Sequence, residues 1–321
     1  MGNDLSMINK IKKKLGEAYH MKDLGATQSY LGIRITRDRA HRRIWIDQEA
    51  YIDSALSWFH LMDANDTKTP LPTGVHLIKS ETPSSTNLRT KYQQLIGTLL
   101  YAALGIRLNI AFAVTQLSRF NSDPTEEHLR YAKYVLRYLK GTKSLRICYD
   151  GSSNAGLIGY SDSNWGKNKD DCHSTLGQVF SLANGTISWA SQCQKMVALS
   201  VGESEYMELA ATGRQCAWLR SFSAEIGFPF IQAMTICVDN QAVIFLAINP
   251  AVEQRTKHID IRHHYIHEQV ETKVIDLYHI AGENPTNLFT KPLPVVKVEK
   301  FRTLIGLMQE PKLHTGTRTG K

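Results

Sequence analysis

The chain has 321 residues, of which 42% are hydrophobic and 21% charged, the balance of an ordinary globular protein. This length predicts about two domains. No apolar run approaches the roughly 20 residues of a membrane helix, and residues 1–20 lack the apolar stretch of a signal peptide. We therefore expect a protein that is neither embedded in a membrane nor secreted.

Cysteine usage and charge narrow the class further. The five cysteines are widely spaced and form no Cys-x-x-Cys pair, which argues against a disulfide or zinc framework and indicates a reducing compartment. Residues 1–150 carry 22 Lys and Arg against 14 Asp and Glu, whereas residues 151–321 carry 16 of each. The whole excess of +8 therefore lies in the first half, where it would suit phosphate contacts with a nucleic acid or simply form a solvated basic surface.

The predicted elements of the first half are mainly helical after a short mixed start. In chain order they are an amphipathic helix around 8–15, strands at 29–36 and 43–47, a helix at 48–61, an extended proline-containing segment at 69–85, and helices at 92–103 and 108–120. A further helix is predicted with Asp123 as its cap, Pro124 in its first turn and Glu126 completing the capping pattern. Gly141 ends this helix, so a domain boundary is predicted near 141–143.

The second half has a different order of predicted elements, in which several short strands precede a long helix. Strands are predicted at 145–149, 156–162, 177–182 and 187–189, with Asn184 and Gly185 forming a hairpin turn. A helix at 201–226, a strand at 234–239, helices at 241–247 and 257–272, a strand at 274–280 and a last helix from Pro285 follow. This order predicts a mixed α/β domain.

Three acids in this half occupy positions suited to metal-dependent chemistry. Asp162 ends one predicted strand, Glu205 lies in the first turns of the long helix, and Asp239 ends the next strand. Hydrolysis of nucleic acid by two metal ions needs several carboxylates that converge at one place, such as one edge of a sheet. Each position taken singly has a local explanation: Asp162 could form a turn, and either Asp239 or Asn240 could cap the following helix.

Two neighbouring acids and a histidine-rich segment are weaker candidates for site residues than these three acids. Glu203 is the natural capping-box partner of Ser200, and Glu208 could be plain helix surface. His263 and His267 have the spacing of a zinc pair within a stretch that also holds His258 and His264. No third ligand has standard spacing, so solvated or packed histidines are favoured.

Eight ordered blocks of the second half resemble the ribonuclease H of Ty1/copia-type retrotransposons. The blocks are Tyr160 to Trp165, Ser174 to Gly177, Ile187 to Trp189, Val197 to Ser200, Glu205 to Met207, Val238 to Gln241, Thr256 to Arg262 and Leu288 to Leu293. The first half resembles the part of a copia-type reverse transcriptase that follows its catalytic core. Its blocks are Met21 to Gly25, Tyr30 to Ile33, Tyr92 to Tyr101, Ile110 to Phe120 and Val135 to Thr142.

The resemblance implies a ribonuclease H-like fold, with a five-stranded mixed sheet and flanking helices, after a mainly helical region similar to a reverse transcriptase thumb and connection. It divides the chain into a truncated reverse transcriptase region at 1–143, a ribonuclease H-like domain at 144–298 and a C-terminal tail at 299–321. The turn at Tyr30, Leu31 and Gly32 resembles a primer grip, which implies nucleic-acid contact. The family's Tyr-x-Asp-Asp polymerase motif is absent, because the only Asp-Asp pair, at 170–171, lies in an unrelated loop. Polymerase activity is therefore not expected of this chain alone.

By the same resemblance, Asp162, Glu205 and Asp239 are the catalytic acids and ligands of two Mg²⁺ ions, for which Mn²⁺ can substitute. The family's fourth acid is replaced by Asn287, which keeps a carbonyl oxygen but loses a negative charge and weakens the binding of one metal ion. The implied function is hydrolysis of the RNA strand of RNA–DNA hybrids, in the cytoplasm within virus-like particles or in the nucleus, with other Pol components as partners.

Two other functions stay open. A catalytically impaired copia remnant that only binds nucleic acid is favoured by Asn287 and disfavoured by the intact trio. An integrase of the Asp-Asp-Glu type is disfavoured, because the acids here run Asp162, Glu205, Asp239.

Overall fold

The computed structural model describes residues 4–153, 156–166, 172–249 and 260–309. These residues build two five-stranded sheets with helices packed around them, so the predicted mixed α/β class is confirmed. The strands are β1 (Ser29–Tyr30), β2 (Ile33–Asp38), β3 (Arg43–Asp47), β4 (Leu145–Asp150), β5 (Ile158–Asn164), β6 (Thr175–Leu182), β7 (Gly185–Cys193), β8 (Met234–Val238), β9 (Ile275–His279) and β10 (Leu307–Gln309).

One group of helices precedes β4 along the chain, and the other group follows β7. They are α1 (Leu5–Tyr19), α2 (Glu49–Trp58), α3 (Thr86–Gly105), α4 (Ala111–Ser118), α5 (Glu126–Gly141), α6 (Val201–Glu225), α7 (Gln241–Ile248), α8 (Asp260–Glu271), α9 (Asn287–Thr290) and α10 (Val295–Leu304). A short 3₁₀ turn, Leu108–Ile110, precedes α4. None of the helices in the described ranges is long and apolar enough to cross a membrane.

The sheet in the second half has the order β7-β6-β5-β8-β9. Strands β5, β6 and β7 are antiparallel, and β8 and β9 run parallel to β5. The predicted hairpin between β6 and β7 is confirmed, but its two turn residues are Ala183 and Asn184, with φ values of 50° and 64°, and Gly185 already pairs with Leu182 as the first residue of β7. The 25-residue helix α6 crosses from β7 to β8 and makes the parallel pairing possible. Strand β5 thus lies at the centre of the predicted five-stranded mixed sheet.

The other sheet is antiparallel throughout, with the order β1-β2-β3-β4-β10. The single strand predicted at 29–36 is wrong in detail. Leu31 and Gly32 take φ values of 49° and 71°, and this left-handed turn separates β1 from β2. Strand β4, predicted together with the strands of the second half, pairs instead with β3 on one side and β10 on the other.

One apolar core joins the two halves of the chain. Buried side chains of α3 and α5 share it with side chains of α9, α10 and β10. Polar contacts cross the same boundary, since Trp189 Nε1 donates to Ala103 O at 3.0 Å and Thr115 Oγ1 donates to Ser191 O at 3.0 Å. The division at 143/144 and 298/299 stays a prediction, and residues 299–309 of the predicted tail contribute to α10 and β10.

A fully buried guanidinium braces the turn between α3 and α4. Arg107 donates to Asn109 Oδ1, to Thr142 O at 3.1 Å and to Thr142 Oγ1 at 2.6 Å. Asn109 in turn donates to Tyr138 Oη at 2.6 Å. Burial lowers the pKa of Arg107 to about 10, so it stays charged at neutral pH. These bonds tie α3, the following turn and the end of α5 into one unit.

The sequence predicts the residues that begin helices α5 and α6, wrongly for α5 and correctly for α6. The predicted cap of α5, Asp123, is wrong: Thr125 caps this helix, and His128 at the third position closes the capping box with its Nδ1. Asp123 instead accepts from Arg89 and Ser84. Glu203 does serve the start of α6, because it accepts from Leu199 N at 2.7 Å while its own N–H donates to Ser200 Oγ.

Candidate active site

Two of the predicted acids lie side by side on the sheet, Asp162 within β5 rather than at its end and Asp239 directly after β8. Strands β5 and β8 are parallel neighbours in which Ser161 pairs with Val238, so the next residues, Asp162 and Asp239, lie at the same edge. Asn240 caps α7 by accepting from Ala242 N at 2.9 Å, which leaves the side chain of Asp239 free of capping duty. Asp162 is 5% exposed. Neither a turn at Asp162 nor a helix cap at Asp239, the two local explanations given from the sequence, therefore accounts for these acids.

The first turns of α6 bring Glu205 to the same edge, because this helix packs across β5. The side chain of Asn240 hydrogen-bonds Glu205, and the charges of Asp162 and Asp239 both act on it. Its Oε2 is buried and has no hydrogen-bond partner among the residues that the structure describes. Three acids far apart in sequence thus meet at one place with an oxygen left unpaired.

The short helix α9 and the residue after it lie next to Asp162. Thr290 Oγ1 donates to Asp162 Oδ2 at 2.6 Å, and Lys291 Nζ lies 3.8 Å from the same oxygen. Gly177, which pairs with Asp162 across β5 and β6, permits this approach. A Cβ at Gly177 would lie 2.7 Å from Thr290 Cγ2 and 3.1 Å from the carbonyl oxygen of Thr286. Sequence reasoning did not single out Thr290 or Lys291, although both lie in the Leu288 to Leu293 block.

Asn287, the predicted weakened fourth position, is the first residue of α9 and is buried. Its Nδ2 donates to Asn284 O at 2.8 Å, whereas its Oδ1 has no hydrogen-bond partner. Asn284 is a further residue that sequence reasoning missed, and it anchors the segment by donating to Ser161 O at 2.7 Å. The amide oxygen of Asn287 is therefore available as a neutral ligand.

Burial dominates the electrostatics of the three acids. It raises the pKa of Asp162 to about 6 and that of Glu205 to about 7, and it raises the pKa of Asp239 as well. The charge of Lys291 lowers all three pKa values, and mutual repulsion among the acids raises those of Asp162 and Glu205. Carboxylates whose pKa values are raised by burial and by mutual repulsion are typical of sites that bind a cation.

Glu208 is not surface, contrary to the sequence expectation. It is 2% exposed on the inner face of α6 and accepts a hydrogen bond of 3.4 Å from Thr212 Oγ1. Burial raises its pKa well above the usual range, and the charge of Asp162 adds to the effect. A buried carboxyl group with a raised pKa therefore lies on α6 close to Asp162.

The donor set suits a hard divalent cation, because it consists of carboxylate and amide oxygens, two of which lack any partner. Across the described ranges, no three His, Cys, Asp or Glu side chains form a ready-made metal site. Asp162, Glu205 and Asp239 share an edge without forming such a group, and Asp162 contacts Thr290 and Lys291. His258 lies outside the described residues, and His267 Nδ1 lies 3.2 Å from Ala247 O rather than in a cluster of ligands.

The predicted primer-grip residues lie on the other sheet. Tyr30 and Leu31 are 64% and 67% exposed, and Tyr101 Oη donates to Leu31 O, which holds the β1–β2 turn against α3. The turn therefore presents an aromatic side chain to solvent from a fixed backbone.

Comparisons with known proteins agree with this architecture. The reverse transcriptase (RNA-dependent DNA polymerase) family profile matches residues 1–73. The chain is 37% identical over 313 residues to the Pol polyprotein of transposon TNT 1-94 from Nicotiana tabacum, covering 96% of this chain and 23% of that protein. It is 33% identical to a transposon Ty5-1 protein of Saccharomyces cerevisiae, covering 64% of this chain and 67% of that protein.

Among solved structures, the foamy viral protease-reverse transcriptase in complex with dsDNA is similar with a TM-score of 0.47 and 14% identity, over 87% of this chain and 51% of that one. The sequence relatives together define a retrotransposon protein. The chain belongs to the Pol polyproteins of copia-type transposons. It spans between a fifth and a quarter of the length of the plant Pol polyproteins that it matches.

Proposed function

We propose that this chain is a metal-dependent ribonuclease H that hydrolyses the RNA strand of RNA–DNA hybrids. The observation that carries the proposal is the meeting of Asp162, Glu205 and Asp239 at one edge of the central sheet, from three separate elements. The absence of a Tyr-x-Asp-Asp motif leaves the first half without polymerase chemistry of its own in this chain.

Asp162, Glu205 and Asp239, with Asn287 as a neutral oxygen, would hold Mg²⁺ or Mn²⁺, which activates water and stabilises the leaving oxygen in this type of hydrolysis. The chain's own residues prepare the ligands. Thr290 fixes one oxygen of Asp162, and Asn240 orients Glu205. The exposed turn at Tyr30 and the basic first half supply contacts for the nucleic acid, at a distance from the three carboxylates. Association with other Pol components, and work in the cytoplasm or the nucleus, belong to the same proposal.

The test is cleavage of an end-labelled RNA–DNA hybrid by the full chain in Mg²⁺ and in Mn²⁺. Glu205→Gln should abolish cleavage, whereas Glu203→Gln should retain it, because Glu203 contacts Leu199 and Ser200 at the start of the same helix. Asp162→Asn should also be inactive. Equal activity in wild type and Glu205→Gln would refute the assignment of the site.

A second candidate, a remnant that binds hybrid without cutting it, is favoured by the neutral Asn287. Folded wild-type protein that binds the hybrid but leaves it intact would support this candidate. Cleavage gained by Asn287→Asp would then identify the missing charge as the cause.

A further inference from the structure

A cavity of about 380 Å³ adjoins the three acids, and its walls come from both halves of the chain. Its size is near the lower end of the range for small-molecule pockets, about 300–1,000 Å³. Asn164, two residues after Asp162 on β5, lines the cavity together with Lys291, whose Nζ is 3.8 Å from Asp162 Oδ2. A ligand in this cavity would therefore lie next to the acids.

The charged side chains around the cavity are cationic. Arg119 and Lys291 line it, and so does the exposed His76. Among the residues that the structure describes, no Asp or Glu is part of its lining. The remaining walls are mainly apolar and come from Leu71, Val75, Leu77, Phe112 and Pro292. This lining suits a ligand that combines an anionic group with an apolar body, as a nucleotide does.

Hydrogen bonds hold Arg119 in place where α4 ends. Its Nη1 donates to Gln116 Oε1 at 3.2 Å, and its guanidinium lies 5.5 Å from the centre of the Phe120 ring. Gln116 Nε2 donates in turn to Thr175 Oγ1 on β6, also at 3.2 Å. These bonds connect α4 to the second sheet, so little conformational freedom is lost when an anion binds to the guanidinium.

The backbone at Lys291 is fixed as well. Its N–H donates to Asn287 O at 3.2 Å, where α9 ends. The preceding residue, Thr290, donates to Asp162 and accepts at its carbonyl oxygen from Asn164 Nδ2 at 3.0 Å. The side chain of Lys291 is 39% exposed, so its ammonium group lies between the acids and the cavity and can still meet a ligand that arrives from solvent.

We propose that this cavity binds one unpaired nucleotide of the RNA strand, with a phosphate on Arg119 and Lys291 and the base against the apolar wall at Phe112. The inference rests on the proposed nuclease function, because that function brings the RNA strand to the acids. A base that stays paired and stacked in a duplex does not enter a cavity of this size. The chain therefore prefers hybrids in which the RNA strand ends in unpaired nucleotides.

The test compares the affinity of the full chain for a blunt hybrid and for hybrids whose RNA strand extends two nucleotides beyond the DNA, at the 5′ or at the 3′ end. Fluorescence anisotropy in chelator measures these affinities without cleavage. Wild type should bind one of the two extended hybrids about 10-fold more tightly than the blunt one, since base stacking adds to the phosphate contacts. The same extension on the DNA strand should add less than about 2-fold. Equal affinities for all these hybrids would overturn the proposal.

Two variants change the cavity in different ways. Arg119→Met removes an anion contact, and Val75→Trp fills the space with an indole ring. Each should lower the preference for the extended hybrid to less than about 2-fold. Arg130→Met is the matched control, because Arg130 is an exposed arginine of α5 that pairs with Glu127 and does not line the cavity. It should keep the full preference.

A preference that survives both Arg119→Met and Val75→Trp, or one that Arg130→Met removes equally, would refute the cavity as the binding site. Circular dichroism of each variant establishes that it is folded before binding is measured.

Cleavage of the same hybrids in Mg²⁺ separates this proposal from the proposed function. A chain that cuts the blunt hybrid but shows no preference for an extended RNA strand is a nuclease without this nucleotide site. A chain that shows the preference, and loses it in Arg119→Met and Val75→Trp, yet cuts no hybrid has the nucleotide site and is not a nuclease.

Discussion

Replacing Asp162 by Asn should stabilise the metal-free protein. Burial raises the pKa of Asp162 from 3.8 to about 6, so the folded protein holds this proton more tightly than the unfolded chain does. The resulting stability is fully present below about pH 3.8 and is lost as the pH rises through about 6. At about 1.4 kcal/mol for each factor of ten in proton affinity, the loss amounts to about 3 kcal/mol.

Asn resembles the protonated acid in shape and charge and can still accept the hydrogen bond from Thr290. Asp162→Asn should therefore raise the free energy of unfolding at pH 7.5 by about 3 kcal/mol, and Tm by about 6 °C, when metal is removed with chelator. Urea unfolding followed by circular dichroism measures the first quantity and calorimetry the second. At pH 4.5 the difference should shrink to less than half, because wild type is then largely protonated.

Asp276→Asn is the matched control, since Asp276 lies on β9 and forms only an exposed ion pair with Lys273. It should change stability by less than about 0.5 kcal/mol at either pH. Asp162→Asn that is no more stable than wild type at pH 7.5, or a gain that persists unchanged at pH 4.5, would refute the reasoning from burial.

Three further predictions concern the rest of the chain. Arg107→Met should lower the free energy of unfolding by about 3 kcal/mol in urea, because it leaves the buried Asn109 Oδ1 and two partly buried oxygens of Thr142 without this donor. Gly306→Ala should cost more than about 2 kcal/mol by the same measurement, since its φ is 77° and the new Cβ would lie 2.2 Å from a backbone oxygen. Gly227→Ala, with φ 85° and open space around it, should cost only about 1 kcal/mol. Tyr30→Ala should weaken hybrid binding about 10-fold in fluorescence anisotropy without changing Tm, because its exposed ring is free to stack on a base.

Each of these predictions has a contrary result. Near-wild-type stability of Arg107→Met would mean that its hydrogen bonds contribute nothing net. Equal costs for Gly306→Ala and Gly227→Ala would show that the close backbone contact relaxes freely. Unchanged hybrid affinity of Tyr30→Ala would remove the β1–β2 turn from the nucleic-acid surface.

Local signals predicted most of the second half. The hairpin turn at Asn184, the Ser200 cap and the apolar runs that end in Asp162 and Asp239 all act within a few residues. The structure has most of these elements within three residues of their predicted ends, although β7 continues four residues further, to Cys193. The structure shows β5 and β8 as parallel neighbours that end on the same side, which places Asp162 and Asp239 at one edge.

What the sequence could not predict depends on distant partners. Arg43 pairs with Asp150 across 107 residues, so nothing near 145–150 indicates that this strand joins the first sheet. Thr290 meets Asp162 across 128 residues, which is why it and the neighbouring Lys291 were overlooked. Glu208 was misjudged for a related reason: α6 is covered on most of its faces, and helical spacing alone does not show which face is buried.

The shared core and the pairing of β3 with β4 have a consequence for any cut in the chain. Cleavage at the predicted 143/144 boundary would leave a front piece whose strand β3 has lost its neighbour and a back piece whose strand β4 has lost the same contact. Both pieces would also expose the apolar side chains that they share. The two pieces should therefore reassemble as complementing fragments, and proteolytic maturation at that point would nick this protein without separating it.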